Sequence, residues 1–387
     1  VPEAHFAMAQ AAANAGDNLR ALAETERALA LRPDWEAAAL ARAQLQAGRS
    51  SATAIDSLND FVSRNPGARD ARLTLARLLI SERRYDESRK QFDRLILDNP
   101  DNPEVIYPVA MLALQQGDTK TGRTQLERLL TTDFADKSTV HFFLGQLDQE
   151  QKQLTSALDH FRQVTAGEQF VPARSRAAQI LMQQGKTEEA RQLLRDTRGN
   201  TPSERTQLIL AESQLLREAG RHNDAYIVLE SALTKQPDNP EILYETALTA
   251  ERIGKPELLE AHLKRLLELK PDHAHALNAL GYSLADRNQR LDEAHDLITR
   301  ALNLNPDDAF IMDSMGWVLY RQGKLDEALQ TLERAYSLKA DPEIAAHLGE
   351  VLWQLGRRDE ARRILRDAAK KHPENEVLAG TLKKFLP

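Results

Sequence analysis

Apolar residues recur along this chain at spacings of three and four, as in Leu325, Ala328, Leu329, Leu332 and Ala335. That spacing puts them on one face of an α-helix. The helical stretches are short, about 12 to 15 residues, and come in pairs. A glycine breaks most pairs midway: Gly16, Gly48, Gly117, Gly185, Gly220, Gly254, Gly323 and Gly356. Glycine reaches the left-handed conformation that ends a helix. Three breaks lack glycine and fall at Arg83-Arg84, Gln151 and Asn288-Gln289. A proline separates one pair from the next, because it cannot continue a helix interior. Pro33, Pro66, Pro100, Pro202, Pro237, Pro271, Pro306 and Pro373 lie 33 to 35 residues apart or at multiples of that interval. Phe134, Glu168 and Ala340 fill the empty places in the register.

The register gives eleven units: 1–33, 34–66, 67–100, 101–134, 135–168, 169–202, 203–237, 238–271, 272–306, 307–340 and 341–373. A period of this length, with its Gly, Ala and Pro positions, marks a tetratricopeptide repeat. The expected fold is all-α: a continuous right-handed superhelical solenoid of about eleven helix pairs over 1–373. Residues 374–387 read as a capping helix, with Val377, Leu378, Leu382 and Phe385 apolar. A solenoid requires such a cover on its last repeat. Gly281, Gly316 and Gly349 align on first helices, and Ala294, Ala328 and Ala361 on second helices. These small residues are expected to let paired helices approach closely. Units two, six and seven depart from the pattern. Unit two is Ala-rich and polar around Arg49-Ser50-Ser51. Unit six carries Arg174, Arg176, Arg191, Arg195 and Arg198. Residues 198–203 are the hinge candidate, expected to change the superhelix pitch locally.

Composition narrows the function. The chain is 42% hydrophobic and 28% charged, with net charge −7 and no cysteine. Disulfides, thiolate catalysis and zinc–thiolate sites are excluded. No basic stripe suits nucleic acid. No apolar run approaches the roughly 18 residues that would span a bilayer. There is no signal peptide at Val1, so the expectation is that any targeting segment or anchor has been trimmed away. His273 and His275, two apart on a helix, point to different sides and hold no metal. No zinc motif, nucleophile elbow or phosphate loop is present, and pairs such as Glu188-Glu189 read as solvated faces. The expectation is a protein without catalytic, cofactor or metal site.

Function is then expected on the concave face, which first helices line. Offsets two, five, nine, twelve and thirteen of each first helix face inward, free of packing. They place Tyr244, His275, Asn278, Tyr282, Phe310, Asp313, Trp317, Tyr320, Arg321, Glu350 and Trp353 in one protein-binding groove. Glu251, Arg252, Asp286, Glu343 and Gln354 share these offsets. Only 5% of the chain is aromatic, yet two of its three tryptophans fall here. Aromatic side chains with polar tips are what protein-recognition surfaces concentrate. The alternative is that Trp317 and Trp353 fill the seam between repeats. A secondary groove holds Tyr107, Met111, Phe142 and Gln146, with Leu114 beside them. Asp286, Asp313, Glu343 and Glu350 rule out the Lys/Asn clamp that some such domains use for an acidic chain end. The expected groove ligand is apolar or mildly basic, an amphipathic helix in form.

Residues 277–286 (Leu-Asn-Ala-Leu-Gly-Tyr-Ser-Leu-Ala-Asp), 313–321 (Asp-Ser-Met-Gly-Trp-Val-Leu-Tyr-Arg) and 342–353 resemble a family of proteobacterial tetratricopeptide lipoproteins. These are tethered to the outer membrane and face the periplasm. The family includes the binding partner of the carboxyl-terminal processing protease. The resemblance covers units nine to eleven. It implies a non-catalytic adaptor that brings a periplasmic serine protease together with cell-wall hydrolases. It also implies membrane attachment only through an N-terminal lipid anchor, which this sequence lacks. Two other readings stay open: an envelope assembly or secretion factor, and an intracellular co-chaperone.

Overall fold

The computed structural model describes residues 1–385, and every regular element in them is an α-helix. They pack as two compact units, Val1–Ile180 and Leu181–Pro387. The first unit contains α1 (Pro2–Asn14), α2 (Asn18–Leu31), α3 (Glu36–Ala47), α4 (Ser51–Arg64), α5 (Arg69–Ser81), α6 (Tyr85–Asp98), α7 (Pro103–Gln115), α8 (Thr119–Leu130), α9 (Lys137–Glu150) and α10 (Leu154–Gln163). The division falls inside α11 (Phe170–Gln183). The second unit continues with α12 (Thr187–Asp196), α13 (Pro202–Glu218), α14 (His222–Leu233), α15 (Pro240–Arg252), α16 (Pro256–Leu269), α17 (Ala274–Asp286) and α18 (Leu291–Leu304). It ends with α19 (Ala309–Arg321), α20 (Leu325–Leu338), α21 (Pro342–Gln354), α22 (Arg358–Lys371) and α23 (Glu376–Phe385). Leu386 and Pro387, the end of the expected capping segment, lie outside the described residues.

Within each unit, helices pack as antiparallel pairs, and each pair rests on the next. Local chemistry fixes the boundaries. Asn102, Asn239 and Asp341 each cap a helix by accepting a backbone N–H, and each precedes a proline in the first turn. Proline fits there because the first-turn N–H groups have no intrahelical partner to lose. Pro202 does the same behind Thr201, so it opens α13 and does not close the unit before it. The mid-pair break is left-handed at Gly16, Gly117, Gly185, Gly220, Gly254, Gly323 and Gly356. Gly48 departs, keeping a right-handed φ of −63°, while Ser50 caps the next helix. Where glycine is missing, Arg83, Lys152 and Asn288 adopt positive φ. The break expected at Gln151 is therefore carried by its neighbour.

The core of each pair is a close helix–helix crossing. A Cβ built on Gly281, Gly316 or Gly349 would come within 2.5 to 2.6 Å of Ile298, Leu332 or Leu365. Real Cβ atoms do not sit that close, so only glycine admits the crossing at its present distance. Ala294, Ala328 and Ala361 on the facing helices are fully buried. The branched residues that fill the space, such as Leu332 and Leu365, are fully buried too. Each such burial contributes about 1.5–3 kcal/mol.

Candidate functional site

The first helices of the last four pairs are α15, α17, α19 and α21, and α19 touches both α17 and α21. Their starts are fixed by caps at Asn239, His273, Asp308 and Asp341.

At the centre lies a buried ion pair. His347 Nδ1 of α21 donates to the Asp313 carboxylate of α19, at 3.0 and 2.9 Å from its two oxygens. Trp317, one turn beyond Asp313, stacks on the imidazole with ring centres 4.3 Å apart and planes 26° from parallel. Tyr282 of α17 brings its hydroxyl to 3.5 Å from His347 Nε2. Burial pushes the imidazole pKa down. The Asp313 charge and hydrogen bond oppose this, with Glu343 and Asp286 adding to them, and the net shift is upward. The Tyr282 hydroxyl moves far above its ordinary range, through burial first and then the charges of Asp286 and Asp313. Bonded to Asp313 and facing the Tyr282 hydroxyl, the imidazole ties α17, α19 and α21 together.

A second node closes the C-terminal end. The Tyr320 hydroxyl donates to Glu350 at 3.0 Å, and Lys384 of α23 reaches the same carboxylate oxygen at 2.7 Å. Burial, then the Glu350 charge, pushes the Tyr320 hydroxyl up to about 12. Trp353 packs against Phe385 of α23, ring centres 5.5 Å apart, with the guanidinium groups of Arg358 and Arg362 over its face. The last helix thus anchors on residues of the expected groove as well as on the core.

These contacts sort the predicted groove residues into two sets. Asp313, Trp317 and Glu350 are buried, with 6%, 6% and 8% of their surface exposed, although their offsets were expected to be free of packing. The reason is side-chain size: large inner-face residues on adjacent first helices meet across the repeat step. The accessible set is Tyr244, His275, Asn278, Tyr282, Phe310, Tyr320, Arg321 and Trp353. Phe310 and His275 are the most open of these, and the Lys339 ammonium sits 4.2 Å above the Phe310 ring. Tyr244 lies 5.4 Å from the His273 ring. Arg321 is held by a bond from Nη2 to the Asp286 carbonyl at 2.9 Å. Two of the four carboxylates expected to make the groove acidic, Asp313 and Glu350, are internally paired. Asp286 and Glu343 remain exposed.

The secondary residues lie in the first unit. Tyr107 stacks on Phe134 at 5.3 Å, and Met111 is half-buried against the same cluster. Phe142 is buried against Phe143 and Phe161, while Gln146 is half-buried. They form separate packing contacts and share no hydrogen bond.

The residue missed from sequence is His347. Its signal was present: an acid and an imidazole 34 residues apart, about one repeat step. Among the described residues no group of His, Asp and Glu is arranged to hold a metal ion. No helix among them is long and apolar enough to cross a membrane.

Known proteins bear on this arrangement in two ways. Family profiles described as "Tetratricopeptide repeat" match residues 51–110, 148–212 and 319–384, and a second profile of that description matches 260–309. Together they cover more than half of the chain. The chain is a tetratricopeptide-repeat protein. A TPR repeat-containing protein of Pseudomonas aeruginosa is 42% identical over 210 residues, which is 54% of this chain and 36% of that one. Tetratricopeptide repeat protein 21A of Mus musculus is 26% identical over 210 residues, covering 46% of this chain and 16% of its own. The chain thus spans little more than a third, or less, of the curated relatives it matches. A solved tetratricopeptide-repeat protein from Parabacteroides merdae superposes with a TM-score of 0.50 at 16% identity, over 65% of this chain and 99% of that one. A thermophilic TPR protein of Thermus thermophilus gives 0.42 at 27% identity, over 46% and 98%.

Proposed function

We propose that this tetratricopeptide-repeat protein is a non-catalytic adaptor whose first-helix face in α15, α17, α19 and α21 holds a protein partner. The observation that carries it is the pairing of a buried strut with an accessible aromatic row. Asp313 and Trp317 of α19 hold His347 of α21, which Tyr282 of α17 also meets, so that Tyr244, Tyr282, Phe310, Tyr320 and Trp353 stand half-open on a buttressed support. Rigid aromatic anchors lose little entropy on binding, which is why few of them supply most of an interface's energy. The open carboxylates Asp286 and Glu343 favour an apolar or basic amphipathic segment there.

The finer reading follows the resemblance in residues 277–286, 313–321 and 342–353. In it the partner is a periplasmic carboxyl-terminal processing protease, the substrates are cell-wall hydrolases, and the native protein is tethered to the outer membrane. An adaptor of this kind acts by raising the effective concentration of substrate near the protease.

Reconstituted proteolysis tests it. The protein added to the protease and a peptidoglycan hydrolase is expected to accelerate cleavage, and to cleave nothing by itself. Unchanged cleavage across the candidate hydrolases would remove the protease reading. If a pull-down from periplasmic extract then returns outer-membrane assembly proteins, the groove serves an assembly factor instead.

A further inference from the structure

The repeat pattern breaks in the second unit at α12, and a cleft opens where it breaks. The second helices α16, α18, α20 and α22 each run 14 residues, whereas α12 runs 10 and stops at Asp196. Residues 197–201 then loop to α13, which at 17 residues is the longest helix described. Helix α12 is about one turn shorter than those four second helices, and α14 beside it runs 12 residues. What remains is an open cleft of about 860 Å³ against α13 and α14.

Its surface is apolar in the middle and cationic at the rim. Leu194, Leu208, Ile209 and Val228 line it, and Ile227 stands over it 63% exposed. Exposed leucines elsewhere in this unit, Leu269, Leu304 and Leu338, are the last residues of their helices. Ile227 is different, since it lies in the interior of α14. The single carboxylate in the lining, Glu212, is already taken by Arg191 at 3.2 Å and Arg195 at 2.8 Å. Arg205 binds only the Gly199 carbonyl, at 3.1 Å, and Lys235 has no carboxylate partner among the described residues. Both side chains are exposed. A locally positive, apolar cleft on a chain of net charge −7 is a specific feature of this place.

We infer that this cleft docks an amphipathic helix with an acidic polar face, presented by a partner protein. The cleft follows α14 from Ile227 to Ala232, roughly 8 Å, and Lys235 stands in the turn just past the helix end, so a bound segment has about two helical turns to span. That length matches anchors at i, i+3 or i+4, and i+7 of a bound helix. Its apolar side covers Ile227 and the leucines, and its carboxylates make charge-assisted bonds to Arg205 and Lys235. The groove on α15 to α21 favours the opposite charge, so one chain carries two surfaces for two kinds of segment. The cleft assignment does not depend on the function proposed for that groove.

The test uses the whole chain and a fluorescein-labelled peptide of about 18 residues, with Leu at i, i+3, i+4 and i+7 and Glu between, read by fluorescence anisotropy. A matched peptide with Lys in place of Glu is the control. The acidic peptide is expected to bind at least about tenfold more tightly than the basic one at low salt, and to weaken as salt rises. Ile227→Asp and the double variant R205E/K235E change exposed side chains and are expected to retain the circular dichroism of the parent. Each is expected to cost about tenfold in affinity for the acidic peptide, and W353A none. Equal binding of the two peptides would overturn the inference. So would an acidic peptide insensitive to both variants, or capture of phosphatidylglycerol vesicles without capture of the peptide.

Discussion

Helices α19 and α3 are both first helices of their helix pairs, yet α19 buries ten of its 13 residues and α3 only three of its 12. Both carry a small residue at the crossing with their partner helix. They differ on the inner face. In α3 the buried positions are Ala38, Ala39 and Ala43, and the bond to the next first helix is made at the helix start, where Glu36 accepts the Ala71 backbone N–H of α5 at 2.8 Å. In α19 Asp313, Trp317 and Tyr320 reach His347 and Glu350 on α21. The repeat pattern alone builds a helix pair. Large inner-face side chains add to this, between α19 and α21, a buried side-chain tie that α3 lacks.

Removing the tie should make the C-terminal pairs behave like the N-terminal ones. Trp317→Ala takes away the ring that covers the ion pair and leaves a cavity beside it. The expected loss is about 3–5 kcal/mol, felt locally in α17 to α21. Amide hydrogen exchange reads this region by region, which suits a repeat protein whose parts open separately. Trp35→Ala in the first unit is the comparison. Trp35 is half-buried, between the Phe6 ring at 4.7 Å and the Arg32 guanidinium at 4.6 Å. Its removal is expected to cost less, about 1–2 kcal/mol, and to speed exchange only around α1 to α3. Equal losses at the two sites would mean that the inner-face stack adds nothing beyond ordinary burial.

The ion pair gives a smaller effect with a distinct signature. Asp313→Asn leaves the imidazole without its counter-charge and is expected to cost about 2 kcal/mol. The pKa of His347 is raised in the folded protein, so its contribution is complete below the unfolded value of roughly 6.5. It is lost as pH rises through the folded value. Protection of α19 and α21, corrected for intrinsic exchange, is therefore expected to fall above about pH 6.5 in the parent protein. His347→Gln should flatten that dependence, and α3 should not show it. A parent protein whose α19 protection is independent of pH would mean that the buried imidazole is neutral.

Much of the fold was legible because each local rule has one structural outcome. Proline at the first turn, glycine at a left-handed break and alanine at a crossing all translate directly into a helix pair. The exceptions are equally physical. Lys152 and Asn288 take positive φ without being glycine, and Gly48 does not take it, because the cap at Ser50 settles that turn by other means. The groove was legible only in part. Offsets identify which face a residue is on, but not whether a neighbour one repeat away covers it. Trp317 and Asp313 lie on the inner face, and both are covered, because His347 projects from the next helix into the gap. His347 lies off the offsets taken to face inward, and a search for acid–base pairs one repeat apart would have found it. The shortened α12 was visible as a weak unit followed by the loop candidate at 198–203, but the cleft beside it was not, since an absent turn leaves no residue to notice.

The close crossings give the next effect. Gly316→Ala places a methyl 2.5 Å from Cγ of the fully buried Leu332, which must shift, and is expected to cost about 1–3 kcal/mol. Gly323→Ala meets no atom within 4 Å but must hold φ +80°, and is expected to cost about 1 kcal/mol through backbone strain. Both substitutions fall in the α19–α20 pair, so thermal melts of the two variants compare crowding with strain directly. A milder effect at Gly316 would mean that the helices separate easily, against the rigid support the binding face requires.

The smallest expected effect on folding belongs to the residue expected to matter most for binding. Phe310 is 44% exposed, and the Lys339 ammonium sits over its ring. Phe310→Ala is therefore expected to change stability by less than about 0.5 kcal/mol. If the inner face is the binding face, the same substitution should weaken partner affinity by about 2 kcal/mol, because an exposed aromatic ring on a stiff support is poised to be buried by a ligand. Calorimetric titration of the captured partner against the parent and the variant measures this. Trp317→Ala changes both quantities and cannot separate them, whereas Phe310→Ala can. Unchanged affinity with Phe310→Ala and with Tyr244→Ala would move the binding surface off the first helices, and leave the strut as a device for stability alone.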